Sequence, residues 1–228
     1  MLKKPFGASF LLYSSAQFVV MTFAAMVVFP GGAKYSPGAR RYLFLQNFFS
    51  DLGGTLNRRG QSNELSMALF VIALVMVGLS LVLSSPMWRQ VVGSSGRATH
   101  WGYGAQLLCA LAGVCYVGIA VTPWNLVLPT HMRFVQGAFS LLLGFVICLT
   151  VMQLKNLWPM RFVVSNCAYC IVLTSYVFVL FDGPNLETLR GLMFQVIAQK
   201  IIVYASVLNL GYQAYGVANA ERLAPVRI

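Results

Sequence analysis

The chain reads as an all-α, polytopic integral membrane protein: a bundle of six transmembrane helices with an interfacial helix in its first loop. Two observations predict that class. Six runs of roughly twenty uncharged, mostly apolar residues are each long enough for a helix to cross a hydrocarbon core of about 30 Å at about 1.5 Å per residue. Apolar residues make up 58% of the 228 and charged residues only 9%, against about 25% charged in soluble domains. A polar outer shell cannot be built from that composition, so lipid has to cover most of the surface. The whole of 1–228 forms one transmembrane domain, with no stretch left for a soluble one.

The first run, Ala8 to Pro30, follows Lys3 and Lys4 as a secretory signal would, but it is too long for a signal core of about 7–15 residues and is read as an uncleaved first span. A long loop, 31–64, comes next, while the other connections are far shorter, and long loops in compact folds are often functional. Within it, Ala39 to Leu52 carries Tyr42, Leu43, Phe44, Leu45, Phe48, Phe49 and Leu52 among polar residues. It is too short to span and too apolar to float in water, so a short helix in the interface or between the spans is expected, stopped by Gly53-Gly54. The second run is Leu65 to Ser85. The third, Trp101 to Thr122, is rich in small residues that allow close backbone approach and is expected in the middle of the bundle. The fourth, Phe134 to Leu154, offers Ser140 and Gly144 as a second small-residue face. Phe162 to Phe181 and Leu192 to Gly216 complete the six.

Six spans put both termini on one side. With the termini in the cytoplasm, the inner segments hold Lys3, Lys4, Arg89, Arg97, Lys155, Arg161, Arg222 and Arg227, eight in all. The outer segments hold Lys34, Arg40, Arg41, Arg58, Arg59, Arg133 and Arg190, seven in all. Five of those seven lie in the long first loop, which is translocated with its charges more easily than a tight turn, so the expectation is cytoplasmic termini in a bacterial inner membrane. The net charge of +11 is dispersed in ones and twos rather than stacked on one face. Anionic head groups are therefore expected as its partners, with other membrane subunits also in view, rather than nucleic acid.

All five cysteines, Cys109, Cys115, Cys148, Cys167 and Cys170, fall inside apolar runs and are read as small packing residues, including the Cys167-x-x-Cys170 pair. No metal or cofactor is expected. There are only two histidines, His100 before the third run and His131 after it, which a spanning helix holds about 30 Å apart. Of the five carboxylates, Glu64 and Asp182 suit helix ends and turns, and Glu187 and Glu221 flank helices. Asp51 is different, because among aromatics at the membrane boundary it needs a partner. Lys200 is the one basic residue well inside a span, and an Asp51 to Lys200 pair would neutralise both.

The leading reading is a non-enzymatic protein that binds or organises lipid, or an accessory subunit, with Asp51, Arg58, Arg59, Asn125, His131 and Lys200 around a polar pocket at the loop end. The rival is a hydrolase or transferase acting on a lipid head group or acyl ester, with Ser50, Asp51 and His131 doing the chemistry. No Gly-x-Ser-x-Gly elbow accompanies Ser50. A small transporter is the third reading, weakened because runs two to five hold no charge.

The segment Ser50-Asp51-Leu52-Gly53 after an aromatic stretch, then Gly118-Ile119-Ala120-Val121-Thr122-Pro123 closing the third span and His131 ahead of the fourth, resembles a known group. These are the prokaryotic six-span proteins grouped with the eukaryotic DRAM, Frag and Sfk membrane proteins. The resemblance runs in order through residues 8 to 216, and Lys200 is similar to a basic residue in that group's last span. It implies a six-helix bundle with cytosolic termini and an outer or lumenal first loop, and relatives are linked to lipid remodelling, lipid distribution and autophagy regulation. The Gly-Gly and Asn-Arg-Arg stretch after Ser50-Asp51 departs from the group's pattern.

Overall fold

A computed structural model describes residues 6–89 and 99–219. Lys3, Lys4, Arg97, Glu221, Arg222 and Arg227, used above in the charge balance or as helix-flanking residues, lie outside the described residues. Among those described, the elements are α1 (Phe6–Val28), α2 (Phe49–Leu52), α3 (Glu64–Ser84), α4 (Thr99–Val121), α5 (Trp124–Lys155), α6 (Met160–Asp182) and α7 (Leu189–Ala218), with no extended strand. All but α2 are long and apolar enough to cross a membrane, which makes six candidate spans.

Each long helix packs on the next in sequence and α7 returns to α1, so the six close a ring. Exposed Phe23, Ile171, Phe178 and Leu208 face outward from it, as a surface bathed in hydrocarbon requires. The expectation that the third span sits mid-bundle is corrected: α4 is one member of the ring, packed on α3 and α5, with Tyr103, Leu107 and Val114 exposed. Its small residues serve pairwise contacts instead. A Cβ on Gly113 would stand 2.6 Å from the Gly78 carbonyl of α3, and one on Gly78 would stand 2.6 Å from the Gly113 carbonyl. Neither position admits a side chain without the two helices moving apart. In α5, Gly144 packs near Leu108 of α4, whereas Ser140 is exposed.

The fourth span begins at Trp124, ten residues before the apolar run expected at Phe134. Its first turn is interrupted at Val127 (φ −136°, ψ 49°) just ahead of Pro129, whose missing N–H and fixed ring break the ladder there. At the opposite end of the ring a line of amides ties three helices together. Ser165 Oγ donates to Asn209 Oδ1 at 2.8 Å, Asn209 Nδ2 to Asn166 Oδ1 at 2.9 Å, and Asn166 Nδ2 to Gln153 Oε1 at 2.9 Å. Gln153 Nε2 then donates to Gln213 Oε1 at 2.7 Å and Gln213 Nε2 to the Phe162 carbonyl at 3.0 Å. Every donor in that line meets an acceptor, as groups shielded from water must.

The first loop, 29–63, folds down onto the ring. Only Phe49–Leu52 of the segment expected to be helical is so, as α2; Ala39 to Phe48 is a run of turns and bends. The side chain of Phe49 reaches Phe18 of α1 and Tyr204 of α7, with ring centroids 6.2 and 5.7 Å apart. Non-helical backbone survives at such depth only where protein satisfies its polar groups, and three asparagines do so here. Asn47 accepts from Leu43 N and donates to the Gly32 carbonyl, both at 2.9 Å. Asn57 donates to the Gly31 carbonyl at 3.0 Å and accepts from the amides of Arg59 and Gln61, each at 2.9 Å. Asn63 donates to the carbonyls of Leu52 and Gly54 at 2.9 and 2.8 Å.

Gly53 and Gly54 end α2 with ordinary backbone angles at Gly53 (φ −91°), so a left-handed stop is not why glycine is needed there. A Cβ on Gly53 would meet the Phe70 ring at 2.7 Å, and one on Gly54 the Trp124 indole nitrogen at 2.8 Å. The pair lets the loop backbone lie against α3 and α5.

Candidate functional site

Asp51 is buried, 3% exposed, and its carboxylate is held from several directions. Oδ2 accepts from Asn47 Nδ2 and from the Phe48 amide, both at 3.0 Å, while Oδ1 receives Arg58 Nη2 at 3.4 Å. Burial pushes this carboxyl above its usual range, and Arg58, the two hydrogen bonds and the Lys200 charge oppose that shift without cancelling it.

The expected Asp51 to Lys200 ion pair is corrected. Among the described residues Asp51 pairs with Arg58 and no salt bridge reaches Lys200. Lys200 lies eleven residues into α7, so about 16 Å along its axis. Its Nζ donates to the Asn47 carbonyl at 2.6 Å. It also stands 5.3, 4.9 and 5.5 Å from the ring centroids of Tyr42, Phe44 and Phe49, within the range over which an aromatic face attracts a cation. The loop therefore does descend to cover the ammonium, but with a carbonyl and three rings in place of a carboxylate. The Tyr42 hydroxyl, driven well above its ordinary pKa by burial, then by Asp51 and Tyr204, stays protonated. It donates to the Asn47 and Phe48 carbonyls at 2.9 and 3.1 Å. An aromatic cage needs only three rings brought together by a folded loop, and no spacing in the sequence announces that.

Two further contacts pin the loop edges. Asn125 and Thr55 bond reciprocally, Thr55 N to Asn125 Oδ1 at 3.0 Å and Asn125 Nδ2 to Thr55 Oγ1 at 2.8 Å. On the other edge Lys34 reaches Glu187 at 2.7 Å and the Leu186 carbonyl at 3.1 Å. Lys34, Glu187, Trp124 and Gln199 were not among the site residues expected from the sequence, because each acquires a role there only through a contact made across the fold.

Between the loop and α5, α6 and α7 lies a cavity of about 290 Å³. Lys34, Asp51, Arg58 and Glu187 line its loop end, and the rest of the lining mixes apolar Leu128, Val135, Val179 and Leu192 with polar Ser50, His131, Gln195 and Gln199. A second, narrower cavity of about 70 Å³ lies within the ring, and the two share Ser50, His131, Val135 and Gln199 as a common wall.

His131 Nδ1 lies 2.7 Å from the Thr122 carbonyl. A carbonyl only accepts, so Nδ1 carries a proton and donates it to Thr122. The Asp51 carboxylate thus does not orient His131, and Ser50, Asp51 and His131 share one neighbourhood without forming a hydrogen-bonded relay. Of the other expected site residues, Arg58 reaches the cavity and Asn125 serves as a loop anchor. Arg59 is exposed beside Gly32, and Lys200 is enclosed by the loop. Among the described residues no group of three or more His, Cys, Asp or Glu side chains is placed to hold a metal ion, and His100 and His131 stand at opposite ends of the ring. No protein family, curated protein or solved structure matches the chain.

Proposed function

We propose that this protein binds a membrane lipid in the cavity beneath its first loop and acts as a lipid-organising protein rather than as an enzyme. The observation that carries the reading is the cavity's polarity: charged groups at the loop end, and uncharged, mostly apolar side chains between α5, α6 and α7. That gradient suits an amphiphile with its head under the loop and its chain along the helices. Exposed Phe44 and Leu45 beside exposed Arg40 and Arg41 suit a loop whose tip sits among head groups, apolar residues inward and guanidiniums toward phosphate. In this reading the loop faces the outer side of a bacterial inner membrane and the termini are cytoplasmic. A relationship to the DRAM, Frag and Sfk group is proposed on the loop and third-span motifs alone.

Protein purified in mild detergent should carry lipid at about one molecule per chain, read by mass spectrometry of the extract. Val179→Trp, which fills the cavity from α6, should lower that content several-fold. Equal lipid content in the folded variant and the parent would remove the cavity as the binding place.

A further inference from the structure

We infer that the cavity recognises a phosphoryl group and that Arg58 is its anchor, which deepens the lipid reading above and rests on it. The Arg58 guanidinium carbon lies over the Trp124 ring, 4.7 Å from its centroid, and one end of the guanidinium donates to Asp51. That grip is loose at 3.4 Å, compared with about 2.7–2.9 Å for a tight charge-assisted bond. A guanidinium has five N–H donors, and among the described residues this is the only one that Arg58 gives to the protein, so the rest of the fork is available at the cavity. The indole face and the buried carboxylate hold the guanidinium at this place in advance of a ligand, which favours recognition of an oxyanion by its remaining donors.

A second cation reaches the same cavity from another wall. Lys34 is tied to the α6 to α7 connection through the Leu186 carbonyl and Glu187, whereas Arg58 is tied to the start of α5. A planar carboxylate is satisfied by one fork, while a tetrahedral phosphoryl group presents oxygens to two walls at once. Two cations on separate walls therefore favour the phosphoryl shape. Glu187, which pairs with Lys34, has a side chain 74% exposed; being solvated, it moves aside at little cost. Asp51, fixed by Asn47 and Phe48, does not move, and serves as the positioning residue for Arg58. Ser50 and Gln199 on the same lining supply uncharged donors.

The same oxygens are offered by a phospholipid head and by free phosphate, so the test carries both. Thermal unfolding and equilibrium binding of the full chain in maltoside micelles would be measured with lysophosphatidylethanolamine, lysophosphatidylglycerol, oleate, monoolein or inorganic phosphate. The phospholipids should bind and stabilise, with affinity lowered about ten-fold in Arg58→Lys and up to about a hundred-fold in Arg58→Gln. Since Arg58→Gln leaves Asp51 unpaired, Asp51→Asn/Arg58→Gln serves as the folded control and should bind phospholipid no better. Inorganic phosphate acting alone with the same dependence on Arg58 would support the phosphoryl site and identify a soluble ligand. Oleate binding as tightly as the phospholipids, or monoolein binding regardless of Arg58, would overturn the phosphoryl assignment and leave the lipid cavity standing. Absence of binding by every probe, with no lipid on the purified protein, would overturn both.

Discussion

Asp51 carries the sharpest consequence of a single residue. A carboxyl whose folded-state pKa is raised weighs against folding while ionised, and protonation lifts that burden as pH falls through the raised value. Between pH 7 and pH 4 the parent protein should gain stability relative to Asp51→Asn, read as the difference between their thermal midpoints. A difference that stays flat, or grows the other way, would mean that Arg58 and the Asn47 bond dominate burial. The need of Asp51 for a partner was legible in the sequence, because an acid among Phe48, Phe49 and Leu52 has few solvated neighbours. The partner's identity was not. Arg58 and Lys200 are both cations, and only the turn organised by Asn57 decides which of them meets the carboxylate.

At the scale of elements, the first loop behaves as a plug set into the ring, with Lys200 as its floor contact. Lys200→Met keeps the apolar stem in place but removes the carbonyl bond and the attraction to three rings, interactions worth about 2–4 kcal/mol together. Trypsin should then cut at exposed Arg40 and Arg41 at least about ten-fold faster, because cleavage requires the segment to leave the ring. An unchanged rate would mean that the Asn125 to Thr55 and Lys34 to Glu187 contacts suffice to hold the loop. The aromatic content of 42–52 predicted a helix in the interface or between the spans; Tyr42, Phe49 and Leu52 are buried while Phe44 and Leu45 stay exposed, and only Phe49–Leu52 is helical. Asn47 shows why the rest is not: its amide bonds Leu43 N and the Gly32 carbonyl across a turn, giving the backbone partners that a helix would otherwise supply.

For the whole molecule, the count of spans and their order were written in the six apolar runs, since length and the lack of charge suffice for that. Ring closure was not, because no single run encodes which helix the last one will meet. The reciprocal approach of Gly78 and Gly113 locks α3 onto α4, and Gly113→Ala should lower stability by about 1–3 kcal/mol, seen as an earlier thermal midpoint in detergent. No shift would mean that the two helices slide apart freely. At the far end of the ring, the line from the Ser165 hydroxyl to the Phe162 carbonyl has a polarity of its own, one hydrogen donated at each link and always toward Phe162. Turning over Asn166, Gln153 or Gln213 would set two oxygens facing on one side of it and two nitrogens on the other. Asn209, Asn166, Gln153 and Gln213 are thus bound to a common orientation, and a rotation at α6 would be felt at once by α5 and α7.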